Sequence, residues 1–238
     1  GCPFVLLTSA TVNAYTARLL GVDKVSQVLS YPSPFPVANR PVYSLKSLKV
    51  SRRNGKEDLQ FWSFLIDQIV RGRLYRKGIV HTVSYRRQEK YRKYTELGDL
   101  VQVYNPTTAV QLLGCIKQFK VADPPAILVS PSVTTGYDFP YEECSYQIIG
   151  KVPFPDGSSG LTRMRSDVYP ELPFYHAWQQ IVQAAGRGVR APDDVCETFV
   201  VDEYFDWLCA KYSSFAPEWF LQAVRRVRTI PEPQPLRR

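Results

Sequence analysis

GIVHTV (Gly78–Val83), YRRQEKYRKYTE (Tyr85–Glu96), LVQVY (Leu100–Tyr104), TAVQLLGCIKQF (Thr108–Phe119) and AILVS (Ala126–Ser130) follow one another with short connections. The first, third and fifth are short apolar runs of strand type. The second and fourth have helical spacing. Strands that are apolar on both faces and alternate with amphipathic helices read as βαβ units, hence an α/β domain with a parallel sheet covered on both sides.

The pattern extends outward. Upstream, Leu59, Trp62, Leu65, Ile66, Ile69 and Val70 share one helical stripe, and Val42–Leu48 reads as an edge strand. Downstream, Tyr146–Ile149 and Thr198–Val201 read as strands, and Phe174–Ala185, Glu203–Tyr212 and Pro217–Arg226 as helices. Phe4–Leu7 is an isolated strand-like run. Pro32, Pro34, Pro36 and Pro41 make the stretch after it a linker, because proline denies a donor to helix and sheet alike. The expected organisation is therefore a strand and linker over 1–40, one domain over 41–228 and a loose tail over 229–238.

The 238 residues carry a net charge of +8 and an ordinary 45% of apolar side chains, which excludes wholesale disorder. No apolar run approaches the ~20 residues of a membrane span, and no basic region precedes the first apolar stretch as in a signal peptide. Five dispersed cysteines without a C-x-x-C pair argue against a disulfide framework or a zinc site, and for a reducing compartment. No membrane partner and no metal ligand set is expected. Residues 46–93 hold 14 basic and 4 acidic side chains, with Tyr75, Tyr85 and Tyr91 among them and Tyr94 next in the chain. A localised excess of this kind, with stacking partners to hand, suits a polyanion such as nucleic acid.

Three segments offer chemistry. Gln183-Ala-Ala-Gly-Arg187-Gly-Val-Arg190 places Gln183, Arg187 and Arg190 on one stripe of a continuing helix, with Ile181, Val182, Ala185 and Val189 opposite. Gly186 and Gly188 would weaken such a helix but allow close approach, and two guanidiniums beside an amide suit a phosphate chain. Ser130-Pro-Ser132-Val-Thr134-Thr-Gly136-Tyr-Asp138 follows a strand and offers hydroxyls and amides to a phosphate. Asp138 there suits either an arginine or a ribose hydroxyl. Thr8–Thr11 and Thr82-Val-Ser84-Tyr85 each place two hydroxyls at a strand end. Ligands of open parallel sheets gather at the carboxyl ends of the strands, which points to the segments after Val83, Ser130 and Val201. There is no G-x-x-x-x-G-K-[ST] loop, and His81 and His176, the only histidines, read as packing residues. A metabolic phosphate-binding enzyme would lack a general base.

In order, these segments resemble the C-terminal half of a superfamily 2 DNA helicase of the DinG/XPD type. Leu7-Thr-Ser-Ala-Thr11 is similar to that family's third motif, Gly78–Tyr85 to its fourth, Ser132–Pro140 to its fifth and Gln183–Arg190 to its sixth. Phe199-Val-Val-Asp202 matches the strand that follows. The resemblance implies a RecA-like, P-loop NTPase-like second motor domain that closes on ATP and Mg²⁺ held mainly by a first domain. It implies that Arg187 and Arg190 are arginine fingers and Gln183 a γ-phosphate contact. Gly136 and Asp138 would lie by the ribose, and Thr82, Ser84, Tyr85, Ser132 and Thr134 would face single-stranded DNA. Any iron–sulfur cluster would belong to the first half. The expected protein is one half or subunit of a DNA-repair-type motor, inactive alone and acting in the cytoplasm or nucleoid (the nucleus in a eukaryote). The alternative is a non-catalytic single-stranded nucleic-acid-binding module derived from such a domain.

Overall fold

The computed structural model describes residues 6–9, 11–133 and 136–235. Its centre is a sheet of seven parallel strands: β1 (Val42–Leu45), β2 (Lys77–His81), β3 (Gln102–Tyr104), β4 (Ala126–Ser130), β5 (Tyr146–Ile149), β6 (Glu197–Val200) and β7 (Val224–Val227), in the order β3-β4-β2-β5-β6-β1-β7. Helices α2 (Lys56–Arg71) and α3 (Tyr85–Tyr94) cover one face. The other carries α4 (Ala109–Val121), α6 (Leu172–Ala185) and α7 (Tyr204–Tyr212), with the short α1 (Ala14–Leu19) and α8 (Glu218–Leu221). This is the covered parallel α/β sheet that the alternating runs predict and the RecA-like architecture that the resemblance implies.

The period-2 alternation along each strand divides the core. Val80, Ile127, Val129, Ile148 and Phe199 pack under α2 and α3, whereas Ile79, Leu128, Ile149 and Val200 pack under the opposite layer. Trp62 and Trp178 are fully buried, one on each side. Side chains of this kind contribute about 1.5–3 kcal/mol each on burial, before entropy is counted. The Asp67 carboxylate fastens α2 to α3 by accepting from Tyr91 Oη at 2.8 Å, Thr95 Oγ1 at 2.9 Å and the Glu96 amide at 2.7 Å.

Several sequence expectations are corrected. β1 is not an edge strand: β6 pairs on one side and β7 on the other, with Val42 opposite both Thr198 and Val224. The helix expected over Pro217–Arg226 stops at Leu221, because Val224–Val227 supplies that outer strand. A ladder with β1 overrides the local helical pattern. Helix α5 (Gly160–Val168) forms in a stretch to which the sequence pattern assigns no element. In the proline-rich region, α1 docks on the core through Tyr15 and through Thr16 Oγ1, 2.8 Å from Tyr175 Oη. Arg40 Nη1 donates to Trp219 O at 2.6 Å. Of the Phe4–Leu7 run, Phe4 and Val5 lie outside the described residues, and Leu6 and Leu7 are exposed and not in a strand. The tail is held where the Pro231 and Gln234 carbonyls accept from Arg73 and Arg76.

Candidate functional site

The helix expected to run through Arg190 ends at Ala185, and Gly186 caps it. Arg187 and Arg190 therefore lie on the turn that follows, not on a helical stripe. α6 runs antiparallel to the strands, so this turn reaches the amino-terminal edge of the sheet. Gly188 marks the spot: a Cβ there would overlap the Cys196 sulfur and lie 3.2 Å from the Cys144 carbonyl, and those residues lead into β6 and β5. The strand-end rule is thus corrected for the arginines. They occupy the edge opposite the one expected.

One carboxylate gathers them. Asp138 Oδ1 accepts from Arg187 Nη1 at 3.2 Å and pairs with Arg190 Nη2. Arg187 Nη1 also donates to the Tyr137 carbonyl at 2.8 Å, and the Phe139 amide donates back to the Arg187 carbonyl. The loop after β4 and the turn after α6 are therefore zipped together. Arg187 retains 16% of its side-chain exposure and Asp138 62%. Asp194 Oδ2 accepts from the amides of Arg190 and Tyr141, bracing the turn from its far side. Gln183, Arg187 and Arg190 line a cleft of about 740 Å³, whose other walls include Arg40, Tyr31 and Trp219.

Beneath the end of α6 lies a polar column that sequence reasoning missed. Gln147 Nε2 donates to the Ala185 carbonyl at 2.8 Å and to Thr198 Oγ1 at 3.2 Å, while its Oε1 is 3.2 Å from His81 Nε2. Burial, with Arg187 adding to it and Gln147 opposing, pushes the His81 pKa down to about 4, so the ring is neutral. His81 is a packing residue, and it is tied to the arginine turn. A lone glutamine inside an apolar strand, Tyr-Gln-Ile-Ile, was the available signal.

A second group forms at the carboxyl edge. Thr82 is buried, and its Oγ1 has no partner among the described residues. Ser84 caps α3 by accepting from the Arg87 amide, and Tyr85 Oη is 3.4 Å from Ser132 Oγ. Between Thr82 and Ser84, Val83 is held at φ 66°, a left-handed conformation that β-branched residues rarely adopt and that tends to mark working sites. Gly136, at φ 83°, begins the return of the loop toward Asp138. Thr134 lies outside the described residues. The structure thus separates the candidate residues into two clusters, bridged by the loop from Ser130 to Tyr146.

The basic segment is not one face. Arg73 and Arg76 are buried on Glu197, with Arg73 Nε and Nη2 donating to its two oxygens at 2.8 and 3.0 Å. Lys77 and Arg87 are buried too. Part of the charge excess is therefore structural. Asp202, also missed, accepts from the Val50, Val152 and Tyr204 amides at 3.0, 2.8 and 3.1 Å. Burial nonetheless pushes its pKa up to about 6.

Among the described residues no three His, Cys, Asp or Glu side chains converge as metal ligands, and no helix is long and apolar enough to cross a membrane. The arginine turn sets two guanidiniums in the wall of an open cleft, a chemistry that suits a phosphate chain.

A profile described as the helicase C-terminal domain matches residues 73–223. No curated protein matches by sequence. The S. tokodaii Xpd4 structure is 16% identical with a TM-score of 0.54, the match covering 79% of this chain and 38% of that one. An apo XPD structure is 15% identical with a TM-score of 0.58, over 81% of this chain and 40% of that one. S. cerevisiae Dbp5 bound to RNA and ADP BeF3 is 14% identical with a TM-score of 0.56, over 92% of this chain and 50% of that one. The chain thus spans half or less of each of these structures. At such identities the likeness establishes the shared fold.

Proposed function

The chain belongs to the helicase C-terminal domain family, and from that premise we propose that it is the second half of an ATP-dependent DNA helicase, supplying arginines to a nucleotide and a carboxyl-edge track to single-stranded DNA. The observation that carries this reading is the convergence of Arg187 and Arg190, both lining the cleft, on Asp138. The two guanidiniums share the solvent-exposed Asp138 carboxylate, and the Tyr137 carbonyl holds Arg187 besides. An incoming phosphate chain offers more negative charge than that carboxylate and can draw the pair off it.

In this reading, a partner half holds ATP and Mg²⁺ and presents the γ-phosphate across the cleft. Arg187 and Arg190 stabilise charge that develops there, and Gln183 donates its amide from the same wall. Arginines acting on a nucleotide held elsewhere are worth on the order of 10³- to 10⁵-fold in rate. Gly136 and Asp138 flank the ribose. Thr82, Ser84, Tyr85, Ser132 and Thr134 contact the DNA strand, and the loop from Ser130 to Tyr146 couples the two clusters. Dbp5, which shares the fold, was solved with RNA and ADP BeF3, and that supports a nucleotide and a nucleic acid as the two ligands.

The test is ATP turnover with and without a nucleotide-holding half. The chain alone should hydrolyse no ATP above background, and joined to that half it should do so. In the joined motor Arg187→Ala should lower kcat by about 100-fold or more with strand binding retained. Turnover by the chain alone, or loss of strand binding with kcat intact, would overturn the assignment. Salt-sensitive strand binding in a motor indifferent to both arginines would instead favour a binding module.

A further inference from the structure

The carboxyl edge holds more than the residues already assigned to it. The exits of β4, β2, β5, β6 and β1 are consecutive along the sheet, stepping at about 4.8 Å per strand. The first two carry Ser132 and the Thr82–Tyr85 turn. At the third, the Gly150 amide donates to the His81 carbonyl at 3.0 Å, which sets Lys151 beside that turn. At the fourth, the Asp202 carboxylate grips Val152 with one oxygen and Val50 with the other. Lys151, next to Val152, and the loop 49–54 beyond β1 are thereby drawn to one point. Arg87 Nη2 adds a bond to the Ser51 carbonyl at 2.8 Å, tying that loop to the first turn of α3.

This junction has a surplus of cations. Lys151 is half-buried and makes no ion pair among the described residues. Burial, followed by the neighbouring Arg87, lowers its pKa. Arg87 Nη1 is buried without a partner among the described residues. Arg52 and Arg53 are exposed, and Arg52 pairs only with the exposed Asp156, at 2.8 Å. Asp202 is spent on three amides.

We propose that Lys151, Arg52 and Arg53 form a second phosphate-binding station, which receives the backbone of a single strand after it has passed Ser132, Tyr85 and Thr82. The inference rests on the strand reading above and extends the track from two strand exits to five. Asp156 occupies Arg52 until a phosphate displaces it.

The test is binding of the 238-residue chain to an oligothymidylate of about 16 nucleotides, followed by fluorescence anisotropy across a salt series. Lys151→Gln, and separately Arg52→Gln with Arg53→Gln, should each weaken binding several-fold at low salt. Each should flatten the salt slope by about 0.7 for every phosphate no longer neutralised, while Lys151→Arg restores both. Asp156→Asn should tighten binding, a gain that misfolding cannot imitate. If the wild type binds no strand, the track itself is wrong and the station falls with it. If Tyr85→Ala weakens binding while the Lys151, Arg52 and Asp156 variants leave affinity and slope unchanged, the station alone is overturned.

Discussion

Gln147, in the middle of β5, donates to the carbonyl of Ala185 at 2.8 Å, so the last turn of α6 is fastened to the sheet two residues before Arg187. A helix end leaves carbonyls without intrahelical partners, and a buried one must find them elsewhere. The same side chain reaches Thr198 and His81, so one glutamine joins three strands to the arginine turn.

Replacing it tests that connection. Gln147→Leu keeps the volume but leaves the Ala185 carbonyl and the His81 ring without their partner. The expected cost is about 1–3 kcal/mol, read as a lower midpoint in urea. A loosened turn should also lower kcat of the joined motor more than it alters strand binding. A variant as stable and as active as the wild type would show that the column is dispensable.

Much of the fold is legible in the sequence because strand and helix periods are local properties. Ala126–Ser130 and Tyr146–Ile149 read as strands with the boundaries found, since each is a short apolar run bounded by turn residues. Val224–Val227 does not read so, because its only claim to be a strand is the exposed edge of β1. Pairing partners distant in sequence leave no local trace. At the site, Gln183, Arg187, Arg190 and Asp138 are visible as residue types in a known order. Their place on a turn, off the helical stripe, is not, because Gly186 stops α6 a turn early. Lys151, Asp202 and Gln147 escape notice for another reason. A single polar residue beside an apolar run gains meaning only from the strands that lie next to it.

Glu197 tests how much of the basic segment is structural. Its carboxylate is fully buried between Arg73 and Arg76, and Arg73 also lies over the Phe199 ring at 4.5 Å. Glu197→Gln removes the one acid facing two buried cations and should destabilise the chain by about 3–5 kcal/mol. Arg73→Met combined with Glu197→Leu should recover part of that loss, because an apolar pair leaves less charge unpaired. Urea unfolding of the three proteins gives the comparison, and a Glu197→Gln variant of wild-type stability would contradict it.

Asp202 predicts a pH dependence. Its folded pKa of about 6 lies above the ordinary carboxyl value of 3.8, so the folded chain binds this proton more tightly than the unfolded one. The stability it contributes is complete below the unfolded value and is lost as pH rises through about 6. Asp202→Asn removes the titration and sets an NH₂ group against one of the amides that the carboxylate accepts from, so it should be less stable throughout. The lead of the wild type should narrow between about pH 4 and pH 6. Unfolding free energies measured at several pH values across that window would reveal a gap that instead widens, which would refute the assignment.

Asp138 is the remaining test, because it separates positioning from chemistry. In the proposed site it lies by the ribose, away from the reacting phosphate, and it holds Arg187 and Arg190 in register while the cleft is open. With 62% of its side chain exposed, its ion pairs are screened and add under about 1 kcal/mol to stability. Asp138→Asn should therefore leave the unfolding midpoint nearly unchanged. In the joined motor it should lower kcat by about 10-fold, less than the loss of Arg187 itself, because the guanidiniums must then find their orientation during each closure. A rise in kcat would mean that drawing the arginines off the carboxylate limits the rate, so that it restrains them more than it positions them, and a large fall in stability would make it a structural pair.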